Sequence, residues 1–250
     1  MTLTPTARPA PAGHKGLLRS RPDPGHAQTT ISSWFRTALD RGQRICTVGA
    51  LPHSAATAAG VTALTPGDLH PTTAPVHLVQ RALAEGFHGL GVLIHADEVI
   101  ADTSSRFHDA VETAMTDLCI DHPVEVLCVY DRPGIGTDSL DLAVLHHGGE
   151  LREHQLTVRR AEDAIDLSGE IDLTNLDVFE AALRATAIAP GRRLRIDLSQ
   201  ATFLSAGAAH VLHQRVVMFR NAGAQVELHG VPPPVARALQ LVELSLRSNG

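Results

Sequence analysis

The sequence predicts an α/β protein made of two successive lobes, and three observations carry the prediction. Continuous apolar runs such as "LGVLIHA" (90–96) and "VEVLCVYDR" (124–132) alternate with segments whose apolar residues recur at helical spacing. Strands buried on both faces read as such runs in a mostly parallel sheet, with helices as the crossovers. Near residue 153 the rhythm changes to two short strands in hairpin order, followed by alternating helices and strands.

Taken in order, residues 1–12 combine prolines with small polar residues, show no apolar periodicity, and read as a disordered tail. "ISSWFRTALDRGQ" (31–43) puts Ile31, Trp34, Phe35 and Leu39 on one helical face and stops at Gly42. "RICTVGA" (44–50) is a buried strand, and 51–75 is loop-like with room for one short helix. "VHLVQRALAEGFHG" (76–89) is a helix striped by Val76, Val79 and Leu83 and ended by Gly86. After the strand "LGVLIHA" come a helix over "SRFHDAVETAMTDLCI" (105–120), the strand "VEVLCVYDR", and a short helix in "SLDLAVLHHGG" (139–149). In the second lobe, "HQLTVRRAEDAIDLSGEIDL" (154–173) is a hairpin turning at Arg160–Asp163. "NLDVFEAALRATAIA" (175–189) is an amphipathic helix, "RRLRIDLS" (192–199) a strand, and "GAAHVLHQRVVMFRNAG" (207–223) a helix closed by Gly223. "AQVELHG" (224–230) is a strand, and "PPPVARALQLVEL" (232–244) a helix with proline at its start. Little linker separates the lobes, so 13–153 and 154–250 are the expected domains.

Composition narrows the function. With 44% hydrophobic residues in 250, the chain can fill packed cores, and with only 3% aromatics those cores are built from Ala, Leu and Val. A net charge of −6 and a pI near 6.2 give no electrostatic signature for nucleic acid or an anionic membrane surface. Cys46, Cys119 and Cys128 lie in apolar runs without C-x-x-C spacing, which suits a reducing compartment. No apolar run reaches the roughly 20 residues of a membrane helix, and no signal-peptide core follows the N-terminal basic residues. The expectation is a cytoplasmic protein.

Four segments of the second lobe carry a family resemblance: "LSGEIDLTN" (167–175), "LRIDLSQATFLSAG" (194–207), "NAGAQVELHG" (221–230) and "PPPVARALQLVEL". Their order resembles the STAS domain, the fold of bacterial anti-sigma factor antagonists. The resemblance implies a four-stranded sheet with helices mainly on one face. It also implies a partner, an anti-sigma factor of the histidine-kinase-like ATPase type, which phosphorylates a serine in a D-S-S-G-like turn at the start of the second helix. A dianionic phosphate at a helix N-terminus is electrostatically tolerated yet rewrites the surface a partner meets. Aligned on Gly207, Ser205 takes the modified position and Leu204 the place of the aspartate; aligned on Phe203, Ser205 takes the aspartate's place and Ala206 the serine's. Either way the acidic neighbour is missing. Ser205 is therefore both a phosphorylation candidate and an N-cap candidate, and Leu204, Ser205, Ala206, Gly207 and His210 are the expected partner-binding residues, with the helix 207–220 behind them.

The first lobe resembles the MEDS domain, a sensory module often fused ahead of STAS domains. The matching pieces are "GH" (13–14), "RTALDRGQRICTVG" (36–49), "VQRALAEGFHGLGVLIHA" (79–96) and "PVEVLCVYDR" (123–132), with "LAVLHHGGEL" (142–151) matching less specifically. The resemblance implies a RecA-like α/β lobe and a small-molecule ligand. His95, Asp97, Cys128, Tyr130 and Asp131, at the carboxyl ends of two strands, would line the sensory pocket, the usual place for a ligand in such sheets. After "RICTVG" the sequence "ALPHSAATAAG" offers no lysine, and the only Lys of the chain is Lys15, so P-loop chemistry is not expected.

The 15 histidines raise a metal question. His146 and His147 are adjacent and point in different directions on a helix, and His210 and His213 have no carboxylate or cysteine partner nearby in sequence, so no metal ligand set and no cofactor are expected. The expected whole is a regulatory protein that acts by binding in a partner-switching system. The alternatives are a sensor or adaptor with an unmodified STAS scaffold, and a nucleotide-dependent enzyme using the first lobe.

Overall fold

A computed structural model describes residues 13–19, 24–49, 61–71, 74–132, 135–186 and 188–242. The expected N-terminal tail and the segment 50–60, where a phosphate loop would have to lie, are outside the described residues. The chain divides into two compact units, residues 11–147 and residues 148–250.

In the first unit the elements run β1 (His14–Arg19), α1 (Pro24–Asp40), β2 (Gln43–Val48), β3 (Val61–Leu64), α2 (Ala74–Ala84), β4 (Gly89–His95), α3 (Ala96–Asp102), α4 (Ser105–Asp121), β5 (Val124–Asp131) and α5 (Thr137–His146). Within the unit the strand order is β1-β5-β4-β2-β3, and every pairing is parallel. Successive residues of β5 serve opposite faces. Leu127 and Val129 pack with Leu17, Ile45 and Leu93 against Ile31, Trp34 and Phe35 of α1, while the Tyr130 hydroxyl reaches Glu112 of α4. Helices thus cover both faces, which is why the central strands read as unbroken apolar runs.

Two helical stripes differ from expectation. On α1 the buried row is Ala27, Ile31, Trp34, Phe35 and Ala38, and Leu39 stays 37% exposed. On α2 it is Val79 with Ala82, whereas Val76 and Leu83 are 41% and 45% exposed. On both helices alanines share the buried row with larger residues, so the buried stripe is rotated away from Leu39, Val76 and Leu83. Asp97, expected at the pocket edge after β4, and its neighbour Glu98 form the first turn of α3, where negative charge suits the helix N-terminus.

The second unit runs β6 (Glu150–Arg152), β7 (Leu156–Arg160), β8 (Ala164–Ile171), α6 (Leu176–Arg184), β9 (Arg193–Leu204), α7 (Ala206–Asn221), β10 (Gln225–His229) and α8 (Pro233–Leu241). The order within it is β6-β7-β8-β9-β10, antiparallel from β6 to β8 and parallel from β8 to β10. The hairpin turn falls at 161–163 as expected, and β6 adds a fifth strand by pairing Leu151 with Val158. One face of the sheet is apolar: Leu194, Ile196, Leu198, Ala201 and Leu204 of β9 are all buried, with Phe179, Ala208, Leu212, Val235 and Leu239 of the three helices. The other face carries charge pairs, Arg195 with Asp166 at 3.0 Å and with Asp197 at 3.1 Å, and Arg193 with Glu227 at 3.4 Å. These exposed pairs contribute little stability each, but they keep that face wet and leave the helices to one side.

Candidate functional site

The end of β9 delivers Ser205 to a strand-to-helix junction. Leu204, the last residue of the strand, is only 4% exposed and belongs to the core, so it is not on the surface expected to meet a partner. Ser205 has extended backbone and is the N-cap of α7: its Oγ accepts a hydrogen bond from the Ala208 N–H at 3.2 Å. Its own N–H donates to the Ile171 carbonyl at 2.9 Å, which ties the junction to the end of β8. The cap reading of Ser205 is therefore the observed one. It leaves the hydroxyl hydrogen uncommitted among these contacts, and Ser205 half-buried, with Ala206 and His210 exposed beside it. The His210 ring nitrogen Nε2 lies 2.9 Å from the Gln214 side-chain amide, one turn along α7.

The neighbouring turn, 172–175, completes the platform. Asn175 is fully buried; its Oδ1 accepts from the Asp172 N–H at 3.1 Å and its amide donates to the Glu170 carbonyl at 2.9 Å. This pins the turn and puts Leu173, 77% exposed, beside α7, so that a methyl on Gly207 would lie 3.5 Å from Leu173 Cδ2. Phe203, 46% exposed, precedes the junction on β9. Large apolar side chains left in water at a tied-down turn suit a protein interface. Sequence reasoning missed Leu173 and Phe203 as site residues; the signal for Leu173 was an apolar residue flanked by the polar turn residues Asp172 and Thr174.

Asp172 brings acid to this platform from the neighbouring turn. The Thr174 hydroxyl, which donates to its Oδ1 at 2.6 Å, together with the backbone N–H groups of Thr174 and Asn175, holds its carboxyl below the ordinary value. A folded-state value below the unfolded one adds stability above the unfolded pKa near about 4 and loses it as pH falls through the folded value. Replacing Thr174 by Val is expected to move the Asp172 titration upward, so that the loss on acidification begins at higher pH; a carbon-detected carboxyl titration by NMR checks it, and an unmoved titration refutes the assignment to Thr174.

In the first unit, the five residues expected to share a pocket separate into two groups. Asp131, at the end of β5, is bound by Arg19 of β1, whose Nη2 donates to its Oδ2 at 2.6 Å, and its backbone N–H donates to the Asp97 carboxylate. Burial raises Asp97 against the pull of that N–H. His95, 7% exposed, occupies the N-cap position of α3 at this edge. The carboxyl edge here is an interlocked polar network.

Cys128 and Tyr130 lie elsewhere, inside the layer between β5 and α4. There they meet residues the sequence reading did not connect: His14 of β1, Glu112 of α4 and His147 after α5, all with no exposed surface. One ligand-capable atom each from His14, Glu112, Cys128 and His147 lies within 4.8 Å of all the others. Nε2 of His14 is 2.9 Å from Glu112 Oε2 and 3.7 Å from Cys128 Sγ, and His147 Nε2 is 3.4 Å from the same Oε2. Tyr130 donates to the other carboxylate oxygen, Oε1, at 2.8 Å, and His108 Nε2 is 2.9 Å from it. Burial pulls His147 down to about 3, so its ring is neutral at ordinary pH, and burial followed by the Glu112 carboxylate pushes the Cys128 thiol and Tyr130 phenol well above their usual values. His146 points away from this group as expected, to Asp109 Oδ1 at 2.7 Å.

Residues 154–245 match the family model described as "Mlab, STAS domain". Among solved structures, this chain is similar to an antisigma-factor antagonist STAS domain from Rhodobacter sphaeroides, 25% identical over 30% of this chain and 84% of that one, with a TM-score of 0.24. No curated protein matches. The family-model match supports the STAS resemblance read from the four segments of the second lobe, and it lies wholly within the second unit.

Proposed function

We propose that the chain is a regulatory protein of the anti-sigma factor antagonist type. Its STAS domain engages an anti-sigma factor of the histidine-kinase-like ATPase class through the platform formed by Leu173, Phe203, Ser205, Ala206 and His210. The observation that carries the reading is Ser205 itself, a hydroxyl at the tied start of α7 within a matched STAS domain. Phosphate on Oγ would face the free N–H groups of the first helical turn, where the helix dipole stabilises negative charge, and would place a dianion beside exposed apolar contacts. The chain acts by binding, and ATP belongs to the partner. The first unit supplies the sensory half, as its resemblance to MEDS domains implies, with a small molecule as the signal. The burial of Leu204 where the family carries an acid favours one second reading, a constitutive adaptor whose Ser205 is a cap alone.

Two substitutions test this. As a cap, Ser205→Ala costs about 1 kcal/mol of stability and Ser205→Asp almost nothing, since Asp caps equally well. As a switch, Ser205→Asp weakens the complex with the anti-sigma factor at least about tenfold, roughly 1.4 kcal/mol, while Ser205→Ala keeps binding and abolishes modification. Calorimetric binding of both variants, with mass spectrometry after incubation with the kinase and ATP, reads the difference. An unmodified Ser205 and an Asp variant that binds like wild type would establish the adaptor instead.

A further inference from the structure

The buried group on β5 has an electronic arrangement that protein atoms alone do not complete. The Thr116 hydroxyl donates its single hydrogen to the Glu112 carbonyl at 2.9 Å, so toward His14 Nδ1, 2.9 Å away, it acts as an acceptor. His14 therefore carries its proton on Nδ1. His147 Nδ1 lies 2.7 Å from the Ala143 carbonyl, which only accepts, and so also carries its proton there. Both rings consequently turn Nε2 lone pairs inward, toward a carboxylate oxygen and a sulfur. Oε2 of Glu112 and Nε2 of His147 are buried and have no partner with hydrogen-bond geometry. A proton between two such atoms needs a straight line, whereas a metal ion needs only that the lone pairs converge.

We infer that the first unit holds one divalent cation of the zinc class, bound by His14 Nε2, Glu112 Oε2, Cys128 Sγ and His147 Nε2. Tetrahedral coordination with bonds of about 2.0–2.3 Å spaces the ligand atoms by about 3.3–3.8 Å, and the separations of 2.9, 3.4 and 3.7 Å lie close to that range. Thiolate with imidazole is the donor mixture that selects zinc or cobalt over magnesium or calcium. Charge also balances: two neutral imidazoles, one carboxylate and one thiolate neutralise a 2+ ion, so the filled site buries no net charge. On binding, the Cys128 S–H bond breaks, the sulfur keeps the electron pair for the metal, and the proton leaves to water. Three of the four ligands are held from behind, His14 by Thr116, His147 by Ala143 and Glu112 by Tyr130, the kind of outer support that orients metal ligands. Four ligands and full burial leave no open position, so the ion is structural and staples β1, α4, β5 and the end of α5. The inference stands whether or not Ser205 is a switch.

The test uses the untagged 250-residue chain, unfolded in chelator and refolded with or without Zn(II) or Co(II). Expected are one equivalent of metal per chain, a thiolate-to-cobalt charge-transfer band with tetrahedral d–d bands, and a higher unfolding temperature with zinc. Absorption of Tyr130, the sole tyrosine, should shift on loading. Cys128→Ser removes the charge-transfer band, whereas Cys119→Ser, outside the group, keeps it. Tyr130→Phe leaves the ligands in place and weakens zinc about 10- to 100-fold, which keeps the question answerable if the Cys128 variant does not fold. A wild-type chain that refolds to the same unfolding temperature without metal and shows no cobalt charge transfer overturns the inference. Persistence of the band in Cys128→Ser, or unchanged zinc affinity in Tyr130→Phe, does so as well.

Discussion

Glu112→Ala is expected to destabilise the first unit by about 3–5 kcal/mol, the loss found when one member of a buried charged group is removed and its partners are left behind. Glu112 is the centre of the layer between β5 and α4: it accepts from the Tyr130 hydroxyl, and the Nε2 atoms of His14, His108 and His147 lie 2.9, 2.9 and 3.4 Å from its carboxylate. Without it the Tyr130 hydroxyl loses its bond of 2.8 Å, and the rings of His14, His108 and His147 are left facing a cavity with no exposure to water. Glu112→Gln should restore part of the loss, because its carbonyl still accepts from Tyr130 while its amide can donate to a histidine lone pair. The chain's only tryptophan, Trp34, sits in the first unit and packs against the opposite face of the same sheet, so its fluorescence during denaturant unfolding reports this unit alone. A Glu112→Ala midpoint within about 0.5 kcal/mol of wild type, the range of an ordinary surface substitution, would show that the carboxylate is not the centre of the group.

The elements legible in the sequence were those whose signal is local. "VEVLCVYDR" declared a central strand because both faces of β5 are covered, and the hairpin of β7 and β8 showed in its turn residues. Ser205 was legible as a cap because capping is settled within four residues, by its own hydroxyl and the Ala208 N–H. The strand β1 was not, since "HKGLLR" is short and its apolar residues matter only through pairing with β5, more than 100 residues away. β3 was read as loop because its four residues are half-exposed at the edge of the sheet. The buried group was invisible for a related reason. His147 was set aside beside His146 because neighbours in sequence diverge on a helix, and that divergence is real. Its actual companions arrive from positions 14, 112 and 128 through parallel pairing and helix packing, which no spacing rule encodes. Glu112 gave the one usable sign, a glutamate on a helical face otherwise filled by His108, Val111 and Met115.

Gly169→Ala is expected to cost the second unit about 3–4 kcal/mol, summed from a forced left-handed backbone, a steric clash and a weakened hydrogen bond. Gly169 has φ +92°, and a Cβ built on it would stand 2.0 Å from the carbonyl oxygen of Gln155. That oxygen belongs to rigid backbone beside β7 and accepts from the Glu170 N–H at 2.9 Å, so it cannot swing aside as a side chain would. The pairing of β8 with β9 shifts register between Gly169 and Glu170, a bulge that re-aims the last residues of β8. Two residues on, the Ile171 carbonyl receives the Ser205 N–H, so a displaced β8 loosens the start of α7 as well as the hairpin. Neither Trp34 nor Tyr130 lies in this unit, so hydrogen exchange is the suitable probe, with the Ser205 amide as the local reporter. Gly191→Ala is the control, because Gly191 also has a left-handed φ, +81°, but nothing within 4 Å of its would-be Cβ. Gly191→Ala should cost only the conformational strain, about 1–2 kcal/mol, and leave Ser205 protected. Equal losses in the two variants would mean that backbone conformation alone matters at Gly169. A larger loss at Gly169 with early exchange at Ser205 would show that the close approach to Gln155 holds the candidate switch in place.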